Sequence, residues 1–123
     1  ARPEINAIVH SHAVYSSVFA AVGENIPPCL IEAAFIGGEV VCAEYGKVGS
    51  KQLAHNIVKA LGEKHKAALL RNHGAVAIGK TAREAFTVSD YMEKIAKTAM
   101  FAKAMGSTPI SLDVDDIKDE NLI

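Results

Sequence analysis

Short apolar runs, too brief to be helices, alternate along this chain with longer segments of helical period, and glycine punctuates the joins. Ile5–His10, Val40–Ala43, Ala67–Arg71 and Ala75–Ile78 are four to six residues each, which predicts strands. The first is β-branched and alternates poorly, so it is expected to be buried on both faces. Between these runs, Ala13–Val22 places Val14, Val18, Ala21 and Val22 at helical spacing and stops at Gly23. Ser50 is placed to cap a helix through Leu61, with Leu53, Ile57, Val58 and Leu61 on one face and Gly62 at a left-handed C-cap. Thr81-Ala82-Arg83-Glu84 has the form of a capping box, in which the Thr81 hydroxyl and the Glu84 carboxylate satisfy free amides. It opens a long helix to about Met105, ended by Gly106, with Val88, Met92, Ile95, Ala99 and Ala102 as its apolar stripe. The order predicts a single α/β or α+β domain over 1–123, and periodicity leaves parallel and antiparallel pairing open.

Several functions are excluded by composition. Thirteen Lys and Arg stand against fourteen Asp and Glu, a net charge of −1, so nothing draws the chain to nucleic acid or to an anionic membrane. The uncharged stretch Ala13–Gly23 is interrupted by Tyr15, Ser16 and Ser17 and is too short to cross a bilayer. No signal peptide is visible. Cys29 and Cys42 lack metal-type spacing and read as buried thiols of a cytoplasmic protein. Because Ala1-Arg2-Pro3 leads almost at once into an apolar strand, the chain is expected to be the C-terminal part of a longer protein, its domain lacking an N-terminal portion. Past Pro109 the acidic residues Asp113, Asp115, Asp116, Asp119 and Glu120 predict a solvated tail.

Three of the five histidines fall at strand ends. In His10-Ser11-His12 the period-2 rule sends both imidazoles to one face. His73 closes Leu69-Leu70-Arg71-Asn72, and Gly74 lets the backbone turn sharply there. Two histidines from one strand and one from a neighbour can give three nitrogen ligands to Zn²⁺ and leave a fourth position open for substrate. A bare H-x-H also arises with no metal role, so residue type alone leaves both readings standing. His55, within a helix, and His65, between Lys64 and Lys66, read as structural or surface residues.

The run Arg2-Pro3-Glu4-Ile5-Asn6-Ala7-Ile8-Val9-His10-Ser11-His12-Ala13, then Ile26-Pro27-Pro28, then Leu69-Leu70-Arg71-Asn72-His73-Gly74, resembles the class II aldolase/adducin family. It is closest to the L-fuculose-phosphate aldolase branch, which the separation of 61 positions between His12 and His73 also resembles. The resemblance runs from Ala1 to about Met105. It implies a mixed α/β sandwich, a central sheet flanked by helices, in a homotetramer with active sites between subunits. It implies His10, His12 and His73 as ligands of one Zn²⁺ per subunit, or of another divalent ion. It further implies a ketose 1-phosphate substrate, cleaved to dihydroxyacetone phosphate and an aldehyde with the ion neutralising the charge that develops. No Schiff-base lysine is required. The family's catalytic glutamate and phosphate loops lie upstream of its H-x-H strand, so this fragment is expected to be catalytically incomplete.

Two positions qualify the match. Ile31 stands where the fuculose-phosphate aldolases carry a proton-donating tyrosine, and isoleucine has no proton to give. Glu32, a charge inside an apolar run, sits where the methylthioribulose-1-phosphate dehydratases, relatives with the same triad, place an acid/base glutamate. Buried, such a carboxyl has a raised pKa suited to proton transfer and supports loss of water as an alternative reaction. Otherwise Glu32 pairs with a lysine or arginine or faces solvent. A third reading, of another class, is a non-catalytic adducin-like interaction module, although adducin-like domains lack the metal histidines. Tyr45 reads as packing, and Gly37-Gly38 and Gly46-x-x-Gly49 as turns.

Overall fold

A computed structural model describes residues 2–117. Strand β1 (Ala7–Ser11) leads into helix α1 (Val14–Val22), and a short helix α2 (Ala33–Ile36) precedes β2 (Val41–Ala43). Then follow α3 (Lys51–Leu61), β3 (Ala67–Leu70), β4 (Gly74–Gly79), α4 (Ala82–Ala104) and a 3₁₀ turn at Val114–Asp116. The four strands form one mixed sheet in the order β1-β4-β3-β2. β4 is antiparallel to both β1 and β3, whereas β2 runs parallel to β3.

Alternation along the strands divides the interior in two. Ala67, Leu69, Ala75 and Ala77 point to one face, where Phe19 and Ala20 of α1, Ile36 of α2 and Val88, Met92 and Ile95 of α4 cover them. Ala68, Leu70, Val76 and Ile78 point to the other, covered by Leu53, Ile57 and Leu61 of α3. Strands β3 and β4 are therefore buried on both sides. Strand β1 is not: Ile8 is 70% exposed, because β1 lies at the sheet's edge and α3 covers the β2–β3 end.

Local chemistry sets the helix ends. The Ser50 hydroxyl accepts from the Leu53 amide at 3.1 Å, and Gly62 takes a positive φ of 59°. The Thr81 hydroxyl accepts from the Glu84 amide at 3.1 Å, but the Glu84 carboxylate faces Lys66 at 3.4 Å, so only half of the expected capping box forms. The buried stripe of α4 is the expected one, with Ala102 half-buried.

Helix α1 lies the other way round from the expectation. Val14, Val18 and Val22 face outward, and Ser16, Phe19 and Ala20 are the buried residues. A serine at 0% exposure is affordable because Glu93 of α4 accepts from both its amide and its hydroxyl, each at 2.8 Å. Asp113 and Asp115 of the acidic tail are exposed, as expected, while the Leu112 amide donates to the Pro28 carbonyl at 2.9 Å and Val114 packs against the core. Asp119 and Glu120 lie outside the described residues. No described helix is long and apolar enough to cross a membrane.

Candidate metal centre

The open end of the β1–β4–β3 unit gathers the strand-end histidines. Register pairs His10 with Val76 and Ser11 with Ala75, so the next residue, His12, arrives beside the turn that joins β3 to β4. That turn is tight: the His73 amide donates to the Leu70 carbonyl at 2.9 Å, and Asn72 takes a left-handed φ of 63°. Its outer side is tied down where the Asn72 amide donates to Ala20 of α1 at 2.9 Å. The imidazole centroids of His10, His12 and His73 form a near-equilateral triangle of 5.0, 4.9 and 5.0 Å. One nitrogen from each lies within 4.8 Å of the others.

Gly74 makes this approach possible. A Cβ there would stand 2.8 Å from His12 Cδ2 and still closer to the Ser11 carbonyl oxygen. Any side chain at this position pushes β1 away from the turn that carries His73.

The protonation states suit a cation. A carbonyl can only accept, so the 2.9 Å contact between His10 Nδ1 and the Ala75 oxygen puts the proton on Nδ1 and leaves Nε2 with its lone pair. Burial, together with the neighbouring His10 and His12, pushes the His73 pKa below its ordinary value and favours the neutral ring. His73 Nδ1 is buried with no hydrogen-bond partner, an orphaned polar atom inside the cluster. Three converging imidazoles, in their neutral form, are a donor set for a divalent first-row ion.

Glu32 does not join this cluster. It is half-buried at the start of α2 and ion-paired with Lys94 of α4. The hydrogen bond from Lys94 holds its carboxyl below the usual carboxylate range, against the raised pKa expected from burial in an apolar run. The partner, 62 residues away, was invisible to local pattern. Ile31, next to it in sequence, is 44% exposed.

The other candidates fall into structural places. His55 is exposed on α3, and His65 packs against Gly37 at the end of α2. Cys29 and Cys42 are free and half-buried, and burial pushes both thiols up, away from a reactive thiolate. Gly37 and Gly38 have φ of 106° and 126°, and Gly46 lies against the backbone of Leu53, so packing and turn geometry account for all three. A surface hollow of about 500 Å³ between β1 and α3, lined by Ile5, Ile8, Val58, Leu61 and Ile78, has none of the three histidines in its wall.

Most of the similar proteins are named as aldolases, although a 4-hydroxy-3-prenylphenylpyruvate oxygenase/4-hydroxy-3-prenylbenzoate synthase of Streptomyces roseochromogenus subsp. oscitans is 33% identical over 125 residues, 99% of this chain and 45% of that protein. The sequence model of the Class II Aldolase and Adducin N-terminal domain matches residues 1–100. A 5-deoxy-D-ribulose 1-phosphate aldolase of Bacillus thuringiensis serovar kurstaki is 35% identical over 118 residues, covering 96% of this chain and 54% of that protein. A 5-methylthioribulose-1-phosphate/5-deoxyribulose-1-phosphate aldolase of Rhodospirillum rubrum is 34% identical over 97 residues, 78% of this chain and 43% of that protein. A solved structure described as L-fuculose 1-phosphate aldolase superposes with a TM-score of 0.86 at 36% identity, over 92% of this chain and 52% of that one. The chain thus spans about half the length of the relatives it matches.

Proposed function

The chain belongs to the class II aldolase and adducin family, and from that premise we propose that it carries the metal-binding part of a zinc-dependent aldolase. The reaction proposed is cleavage of a carbon–carbon bond in a ketose 1-phosphate, giving dihydroxyacetone phosphate and an aldehyde. The observation that carries the proposal is the meeting of His10, His12 and His73 around one point, each from the end of a paired strand or its turn. Relatives named for 5-deoxyribulose 1-phosphate and L-fuculose 1-phosphate support deoxy-ketose 1-phosphates as the substrate class. A homotetrameric, cytoplasmic enzyme is part of the same reading.

Each histidine has a separate part in it. The Ala75 carbonyl favours the His10 tautomer with the proton on Nδ1, so Nε2 is the atom that would hold an ion. His73, kept neutral by burial and by its two neighbours, completes the set from the opposite strand pair. His12 lies past the last β1–β4 pair and is placed by its flanks and by the absence of a side chain at Gly74. An ion held there supplies Lewis-acid stabilisation of negative charge as the bond breaks. No lysine is needed as a covalent electron sink. Glu32, ionised beside Lys94, is poorly suited to donate a proton, which favours aldol cleavage over the dehydration alternative. Three intact ligands likewise favour an enzyme over an adducin-like interaction module.

The test uses the complete polypeptide that carries this chain, with L-fuculose 1-phosphate and 5-deoxyribulose 1-phosphate as substrates. Chelator-sensitive release of dihydroxyacetone phosphate is expected, and His73→Ala is expected to lose bound zinc and release together. Full zinc retention by that variant refutes the ligand assignment. Zinc bound without release from either substrate, with turnover by dehydration that Glu32→Gln abolishes, refutes aldol cleavage.

A further inference from the structure

We infer that Glu93 is a positioning residue for the histidine cluster, acting through the first turn of α1; the inference rests on the metal reading above. Helix α1 starts at Val14, two residues after His12, so whatever fixes its start also fixes one flank of that ligand. The helix brings no cap of its own. Its N-cap residue is Ala13, with no side-chain hydrogen bond, and its first turn holds no acidic residue. Free amides of a first turn that includes the buried Ser16 must find acceptors elsewhere.

Glu93 supplies them from α4. Its Oε2 accepts from the Tyr15 amide at 2.9 Å, and its Oε1 accepts from the Ser16 amide and the Ser16 hydroxyl, each at 2.8 Å. A negative carboxylate at a helix N-terminus is favoured by the helix dipole as well as by these charge-assisted bonds. Because Ser16 is wholly buried, water offers no ready replacement. The anchor is itself rigid: its neighbours Met92, Ile95 and Ala96 are packed in the main core.

The consequence falls on His12. His10 is held by strand pairing and by Ala75, and His73 by its hairpin. His12 lies beyond the strand, where the local tie is a 3.4 Å contact from the Ala13 amide to the Ser11 hydroxyl. Its position is set by β1 on one side and by the Glu93-clamped start of α1 on the other. A metal site tolerates little displacement of its ligands, so loosening this flank weakens the ion's hold.

The experiment measures the zinc dissociation constant of the complete polypeptide by competition with a chromophoric chelator, and the visible spectrum after cobalt substitution. Glu93→Gln, which keeps the shape but turns an amide toward the N–H donors, is expected to weaken zinc about 10- to 100-fold and to alter the cobalt spectrum. Glu93→Asp, which keeps the charge, is expected to recover part of the loss and serves as the test if the Gln variant does not fold. Asn56→Ala is the structural control: it removes a buried side chain of α3 that donates to the Glu44 and Tyr45 carbonyls, packed beside β2 at the opposite edge of the sheet from β1. Its zinc affinity is expected to stay within about twofold of wild type while its apo stability falls. Zinc affinity lost equally by the control and the Glu93 variants, or unchanged in all, overturns the role of Glu93. A wild-type protein that takes up no zinc overturns the metal reading, and this inference with it.

Discussion

Gly74→Ala puts the geometry of the cluster to a quantitative test. The added methyl would lie 2.8 Å from His12 Cδ2, where ordinary contact begins at 3.4 Å, and nearer still to the Ser11 carbonyl. The imidazole can swing, but a backbone carbonyl at the end of a paired strand cannot move without carrying β1 with it. The relief needed is about half an ångström or more, the displacement at which a preorganised site begins to fail. Overpacking of this kind costs about 1–3 kcal/mol, to be read from urea denaturation of the metal-free protein. Zinc affinity is expected to fall about 10- to 100-fold in chelator competition, because the strand that moves carries His10 and leads directly into His12. Gly49→Ala separates the two effects: a Cβ at Gly49 meets nothing within 4 Å, but the position has φ of +80°. That change is expected to cost about 1–2 kcal/mol through left-handed backbone alone, with zinc binding intact. The reasoning is refuted if Gly74→Ala binds zinc as wild type does, or if Gly49→Ala loses zinc to the same extent.

Other outcomes follow from single contacts. Ser50→Ala removes the acceptor for the Leu53 amide and is expected to lower unfolding stability by about 1 kcal/mol, with no change in zinc affinity. Glu32→Gln tests the Lys94 pair by its pH dependence. A carboxyl whose pKa is held down in the folded state stabilises it above the ordinary carboxylate range and loses that contribution as pH falls through the folded value. The variant is therefore expected to unfold more readily than wild type at pH 7, and the gap to close as pH falls below the ordinary carboxylate range and through the folded value; a gap that widens on acidification contradicts the pairing.

The local part of the histidine cluster was readable in the sequence. H-x-H on a strand fixes a shared face by alternation, and Asn72-His73-Gly74 marks a turn through the one residue type that permits the approach seen at Gly74. That the two segments meet is a matter of strand order, which periodicity does not contain; the family resemblance carried that step. Helix α1 shows the limit more sharply. Val14, Val18 and Val22 make a convincing inward stripe by composition, yet Phe19, Ala20 and Ser16 are the ones buried. A buried serine becomes the better choice only once a carboxylate 77 residues away supplies its partner. Glu93 and Lys94 look alike from the sequence, two charges on an amphipathic helix, and only packing separates a clamp for α1 from a partner for Glu32. Glu84 matched a capping motif and turned instead to Lys66, a competing charge that local rules cannot weigh.

The place of β4 between β3 and β1 also orders the assembly of the molecule in time. The β3–β4 hairpin and the α4 that follows are contiguous in sequence and close only short loops, whereas β1 reaches β4 across 65 residues. On loop-closure grounds His73 is expected in the part that forms early, and His10 and His12 in the segment that docks late. An ion binding all three ties down the last piece to arrive and the first to leave. A divalent ion bound by all three would then be expected to slow unfolding while leaving the folding rate as it was.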